Sequence, residues 1–331
     1  MNVVERFRAV MNFEKVDRLP VMEWAPWWEK TLDRWYQEGL PTDMTDRGEI
    51  RDHLGLDCHR QAWIRPGFRD LPKVAGPHSG LVRDMDHYME LRPRLYPDPP
   101  FNAEPYRPWA EAHERGEMVV WLTIEGFFWY PRILLGIERH LYAFYDEPDL
   151  MHQINRDLLE QNLRIIEHFC ATCPADFSTF AEDMSYNHGP MLSKALFDEF
   201  LAPYYRQIVP VLKEHGILPM VDSDGDVTEL IPWLEEVGIQ GLLPLERMAG
   251  VDVASIRRNH PCFRMIGAFD KTVMKLGEQA MRTEFERLLP TMRAGGFIPS
   301  VDHQTPPDVS LDRYRVFVRL LKEYCERGAQ P

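Results

Sequence analysis

The second half of the chain repeats one unit. "DFSTFAEDM", "ILPMVDSDGD", "IQGLLPLE", "FRMIGAFD" and "FIPSVDH" are short apolar runs. Amphipathic stretches at 194–215, 227–237, 251–259, 271–294 and 311–327 follow them in turn. Strands of this length alternating with helices predict parallel βαβ units. The first half adds a helix over 3–12 and a short strand in "DRLPVMEWAPWW" ending near Glu23. It also adds strands in "CHRQAW" and "MVVWLTIEGFF", and helical patterns over 131–145 and 148–170. About eight strands in an α/β chain of this length favour a closed (β/α)8 TIM barrel over an open sheet. We therefore expect one barrel domain over 1–331, with 24–110 as an irregular N-terminal elaboration. Within it, "LVRDMDHYMELRPRLY" alternates and predicts a β-hairpin insertion. No strand is followed by G-x-G-x-x-G, which disfavours dinucleotide binding.

In such barrels the chemistry sits where strands end. Here the predicted exits carry Glu23, Glu125, Glu182 with Asp183, Asp222 with Asp224, Glu246, Asp270, and Asp302 with His303. The densest case is "MVDSDGD" at 220–226. It is not a calcium loop: counting from Asp222, glycine falls fourth and Trp233 twelfth, where an EF-hand needs glycine sixth and glutamate twelfth. Asp226 and Asp270 precede helical patterns and suit N-caps. Tyr186 and His188 in "SYNHGP" are candidate substrate contacts. Trp24, Trp27, Trp28, Trp35, Trp121 and Trp129 either line a pocket for a flat or cationic group or pack the N-terminal segment. His53, His59, His113 and His168 read as surface or core residues.

Composition narrows the partners. A formal net charge of −14 argues against nucleic acid and anionic membrane. No signal segment is read at the N-terminus, and no apolar run reaches a membrane span of about 18 residues. Five scattered cysteines predict a reduced, cytoplasmic setting. Cys170 and Cys173 form a C-x-x-C without a second pair and read as ordinary helix-end cysteines.

"ERFRAVMNFEKVDRLPV", "GLLPLE", "IGAFDK" and above all "GGFIPSVDHQTPPDVSLDRY" together resemble the uroporphyrinogen decarboxylase family. That family also holds methyltransferases serving corrinoid proteins. The likeness runs from about Val3 to about Tyr324 and implies a (β/α)8 barrel whose mouth takes a tetrapyrrole or a tetrapyrrole-bearing partner. Decarboxylase members carry an Arg-rich "RQAGR"-like stretch at the first strand exit. This chain has "MEWAPWWEK" there, so Glu23 and Trp24 stand in its place. An "FSDI"-like aspartate also lacks a clear match, and Asp57 lies before the second strand; His303 matches the last-strand histidine. Methyltransferase members hold zinc with H-x-C at the fifth strand exit and a cysteine at the eighth. Those positions fall on Asp222 and Asp224, and on or beside His303.

Residues two apart on a strand share a face, so Asp222 and Asp224 can address one point with His303. The resemblance thus implies a site of Asp222, Asp224 and His303 for a divalent ion (Zn, Mn, Mg or Fe). Asp302, Glu182 or Glu246 would ligate fourth or support it. Without a metal, the paired carboxylates would act as acid and base. Glu23, Trp24, Glu182, Tyr186, His188 and Glu246 are the expected substrate contacts. The expected activity is methyl transfer from a small, cationic methylated substrate to a corrinoid or similar acceptor, with a corrinoid protein as partner and a homodimer as assembly. Decarboxylation of a tetrapyrrole or smaller acid is the alternative. It calls for a basic clamp drawn from Arg60, Arg65, Arg132 and Arg264. A non-catalytic binding barrel is the third reading.

Overall fold

The computed structural model of the protein describes residues 1–67 and 79–329. Seven parallel strands form one curled sheet in sequence order: β1 (His59–Ile64), β2 (Val119–Glu125), β3 (Phe177–Ala181), β4 (Leu218–Asp222), β5 (Gly241–Leu243), β6 (Arg264–Phe269) and β7 (Phe297–Val301). Most of these runs are apolar because helices cover one face and the barrel lumen holds the other. Every residue of β2, β3 and β7 is buried. Register aligns Glu125 with Ala181, Ala181 with Asp222, and Asp222 with Leu243, which sets the exit row of the mouth.

The eighth wall position, between β7 and β1, is taken by buried residues 19–25, which form no ladder strand. The indole of Trp24 donates to the Val301 carbonyl and its backbone N–H to Ser300 Oγ. On the other side Asp57 N–H donates to Val21 O at 2.8 Å. Scattered bonds thus bridge β7 and the chain before β1, and no ladder closes the seven-stranded sheet into the expected eight-stranded barrel.

Helix Pro148–Cys170 shows how the crossovers place the mouth. Pro148 starts it without losing a needed donor. Its buried Asn155 and Asn162 donate to the carbonyls of Phe127 and Glu125, fixing the chain as it leaves β2.

The sequence expectation fails at the short strand ending near Glu23, which forms no ladder, at the predicted hairpin and at the single helix over 194–215, while 271–294 is read as one helix or two. The predicted hairpin is helix Met85–Leu95. Tyr88, Leu91 and Leu95 recur at helical spacing and are its buried residues, and Asp84 caps it by accepting from His87 N–H. The alternation was incidental; the helix wins because one face docks on 148–170, where Tyr88 and Arg92 both bind Asp157. The 194–215 helix is two, Lys194–Phe200 and Ala202–Glu214. Pro203 lacks an N–H to continue the first. The 271–294 stretch divides at Gly277, whose φ of 104° suits glycine. Residues 24–110 hold three α-helices among the described residues, 29–37, 47–53 and 85–95, and the start of a fourth, 107–114; the part at 68–78 lies outside them. No helix among the described residues is long and apolar enough to cross a membrane.

Candidate active site

The strand exits produce two kinds of carboxylate. Some are locked into the wall. Glu182 is buried and takes backbone N–H bonds from Phe127, Phe128 and Trp129 at 2.8–3.1 Å, plus the Tyr205 hydroxyl. Burial still pushes its carboxyl up to about 7, against the pull of those donors. Glu23 is equally buried. It accepts from Ser300 Oγ at 2.6 Å and from Ala25 N–H and Tyr314 Oη at 3.3 Å. Burial raises it to about 7 as well, with Arg51 acting the other way. Both expected substrate contacts are therefore spent on the scaffold. Trp24 is too, packed 6.5 Å from Trp121. Trp27 and Trp35 pack tilted and edge-on around Tyr314, which resolves most of the tryptophan group as packing. Trp28 alone among the six is exposed at 45%.

Other acids face the mouth. Asp224, Glu246 and His303 each offer a ligand atom, and these atoms all lie within 4.8 Å of one another. His303 Nε2 is 3.4 Å from Asp224 Oδ2. That contact raises the imidazole's pKa, against the effect of partial burial. Glu246 is fixed by Gly225 N–H, which donates to its Oε2 at 2.9 Å. Gly225 has φ 81°, and a Cβ there would lie 2.8 Å from the Tyr186 backbone. The loop can thus bend Asp224 toward β7 only with glycine at this position.

The sequence-predicted trio is only partly brought together. Asp224 and His303 meet; Asp222 stays outside their ligand group, and Glu246 completes it. The strand ends at Asp222, so the alternation that would align residues 222 and 224 stops there. Asp222 instead neighbours Asp183. Loss of water around it, with Asp183 and Asp224 nearby, pushes its carboxyl well above the usual range. Burial, then Asp224, raises Asp183 to about 6, while Arg132 and His303 pull it down. Asp302 lies beside the trio. It accepts from Arg247 N–H at 3.0 Å and from Lys271 Nζ at 3.1 Å. Lys271 also stands 4.0 Å from Glu246. Its place in "IGAFDK" was visible in the sequence; its role was not read from it.

Tyr186 is 51% exposed and sits edge-on to His188 at 5.7 Å, on a hairpin of 185–186 with 189–190 at the rim. Asp270 caps the 3-10 helix Lys271–Leu276 by accepting from Thr272 N–H, but Asp226 does not cap: it accepts from Thr228 N–H in a turn, and the next helix starts at Leu230 with Glu229 at its N-cap. Cys170 and Cys173 are free thiols, raised by burial to about 11 and about 12, so neither offers a thiolate near neutrality. Asp224, Glu246 and His303 supply oxygen and nitrogen donors only, a set suited to a borderline or hard divalent ion.

The chain resembles known proteins at two levels. Among solved structures, a B12-independent methionine synthase from Shewanella sp. W3-18-1 in complex with selenomethionine is 10% identical, with TM-score 0.41, over 68% of this chain and 65% of that one. The chain thus spans just under two thirds of that relative's length. A putative vitamin-B12 independent methionine synthase from Listeria monocytogenes is 12% identical, with TM-score 0.46, over 95% and 97%. A fungal β-1,4-galactanase is 10% identical, with TM-score 0.43, over 89% and 98%. No curated protein matches. The sequence profile described as uroporphyrinogen decarboxylase (URO-D) matches residues 130–324. That span runs from the exit of β2 through Asp224, Glu246 and His303 to the last helix and covers more than half of the sequence, so the chain belongs to the uroporphyrinogen decarboxylase family.

Proposed function

We propose that the chain is a methyltransferase of this family. It moves a methyl group from a small methylated, cationic substrate to a corrinoid or similar nucleophilic acceptor, using a divalent ion held by Asp224, Glu246 and His303. The observation that carries this reading is the convergence of those three donors in the mouth. Ligand atoms that close can share one ion at bond lengths of about 2.0–2.2 Å after small side-chain adjustments. Bound there, the ion would supply Lewis-acid charge to a coordinated group. The residues of the chain do the rest. Asp302 draws Lys271 to 3.1 Å, leaving it 4.0 Å from Glu246. Asp183, raised to about 6, adds negative potential above that pH that favours a cation. Tyr186 and His188 stand where they can cover an incoming substrate.

The decarboxylase alternative needs a basic clamp free for substrate, and each candidate arginine already has a partner within the chain. Arg60 binds Asp52 and the His59 carbonyl. Arg264, at the opposite end of the barrel from the mouth, binds the Met11 carbonyl. Arg132 stacks on Trp129 at 4.7 Å, and Arg65 lies against Glu125.

The test is metal content and turnover together. Protein purified without chelators is assayed for bound metal and for methyl transfer from methylamines to a reduced corrinoid. Asp224→Ala and Glu246→Ala should each lose metal and activity. Unchanged metal with full turnover in either variant would sink the assignment.

A further inference from the structure

One buried carboxylate takes no part in the site above. Glu125, the last residue of β2, is 0% exposed. Its Oε1 accepts from Trp63 Nε1 at 3.1 Å. Its Oε2 is buried with no hydrogen-bond partner. Both residues point into the lumen. β1 pairs Trp63 with Thr123 in register, and Thr123 Oγ1 meets Gln61 Nε2 and Thr179 Oγ1 from the neighbouring strands. Glu125 is two residues further on and shares that face.

Arg65 covers this pair from outside. Its guanidinium lies 4.1 Å from the centre of the Trp63 ring, and its Nε is 3.4 Å from Glu125 Oε1. That is long for a charge-assisted bond, where about 2.7–2.9 Å is usual. The Arg65 side chain is 56% exposed, and Trp63 is 40% exposed. No other cation pairs with Glu125 among the described residues. An aromatic face locked by its own N–H onto a buried carboxylate is a receptor for an organic cation. Its present occupant is loosely held and leaves one carboxylate oxygen unanswered.

We propose that Trp63 and Glu125 form a cation subsite for a methylated ammonium group bearing at least one N–H, and that Arg65 is its internal stand-in. The ligand's methyl groups lie on the Trp63 ring and its N–H answers Glu125 Oε2. Arg65 swings into water when the ligand enters. This names the substrate class for the methyl-transfer reading and rests on it, but binding at the subsite needs neither metal nor acceptor.

The test is titration of the full chain with trimethylammonium at pH 8 by calorimetry, with no acceptor present. Burial raises the Glu125 carboxyl to about 7 against the pull of Arg65, and removing Arg65 lifts it further, so every variant is also titrated at pH 9, where trimethylammonium still carries its proton. Arg65→Ala should tighten binding roughly three- to thirtyfold, because a competing half-exposed cation is removed. Trp63→Leu and Glu125→Gln should each weaken it at least about tenfold. Arg65 is mostly in water, so its variant reports on binding even if Glu125→Gln fails to fold. Weaker or unchanged binding in Arg65→Ala overturns the subsite, as does loss of acetate binding in that variant, which would make Arg65 an anion handle. If Arg65→Ala tightens binding while no methylamine is turned over, only the methyl-transfer reading falls. If turnover is intact and affinity ignores residue 65, only the subsite falls.

Discussion

Glu23→Gln isolates what a buried acid does to this barrel. Glu23 is fully buried against Ser300, Ala25 and Tyr314, and its carboxyl moves from 4.5 to about 7. The folded state therefore holds the proton more tightly than the unfolded chain. Stability from this group is fully present below pH 4.5. It is lost as pH rises toward 7 and is flat above, since between those values only the unfolded chain has released its proton. A displacement of that size removes roughly 2–3 kcal/mol between pH 5 and pH 8. Glutamine keeps the shape, accepts from Ser300, and carries no titrating proton. Urea melts of both proteins at pH 5, 6, 7 and 8 give the comparison. Glu125 and Glu182 behave alike in the two chains and cancel in the difference. We expect the variant to gain on the wild type by that amount across the range. Parallel curves with a constant offset would refute the reasoning; they would mean that Arg51 keeps Glu23 ionised throughout.

Tyr205→Phe strips the side-chain donor from buried Glu182 and should cost about 1–3 kcal/mol in the same melts. Gly225→Ala combines φ 81° with a Cβ 2.8 Å from the Tyr186 backbone; displacement of the loop should lower metal content as well as melting temperature. Asp176→Ala leaves His113 and the Val120 N–H without their shared buried partner, while half-exposed Arg8 turns to water, and should cost about 1–3 kcal/mol. Gly267→Ala would put a Cβ 2.0 Å from the Pro244 carbonyl oxygen and should yield little folded protein on expression.

The barrel was legible because parallel strands are written twice, as apolar runs and as the amphipathic helices between them. Asp224 and His303 were legible as exit residues. Their third partner, Glu246, was legible only as one of three candidates for a further ligand, beside Asp302 and Glu182. Whether residue 222 or 246 faces them depends on where β4 stops pleating and on the glycine that turns the chain at 225. Alternation carries no information past a strand end. The roles of Glu23 and Glu182 were hidden for a related reason. Sequence places a carboxylate at an exit, but only packing decides whether its oxygens meet the mouth or a row of backbone N–H groups. The 85–95 helix was misread because 81–96 alternates locally while its buried positions follow the longer period. The Trp63–Glu125 pair left no sequence signal beyond an acid at a strand end.

The seam at 19–25 bears on how the barrel forms. Neighbouring strands β1 to β7 meet in sequence order, so each closure brings together segments one crossover apart. Trp24 meets Ser300 across 276 residues. The contacts of this seam carry a larger loop entropy than any strand pairing in the wall, and they reward the chain only once β7 is in place. Assembly should therefore run along the sheet and finish at the seam. Glu23 and Ser300 lie at that last joint, so the burial of Glu23 would mark the end of folding rather than its nucleus.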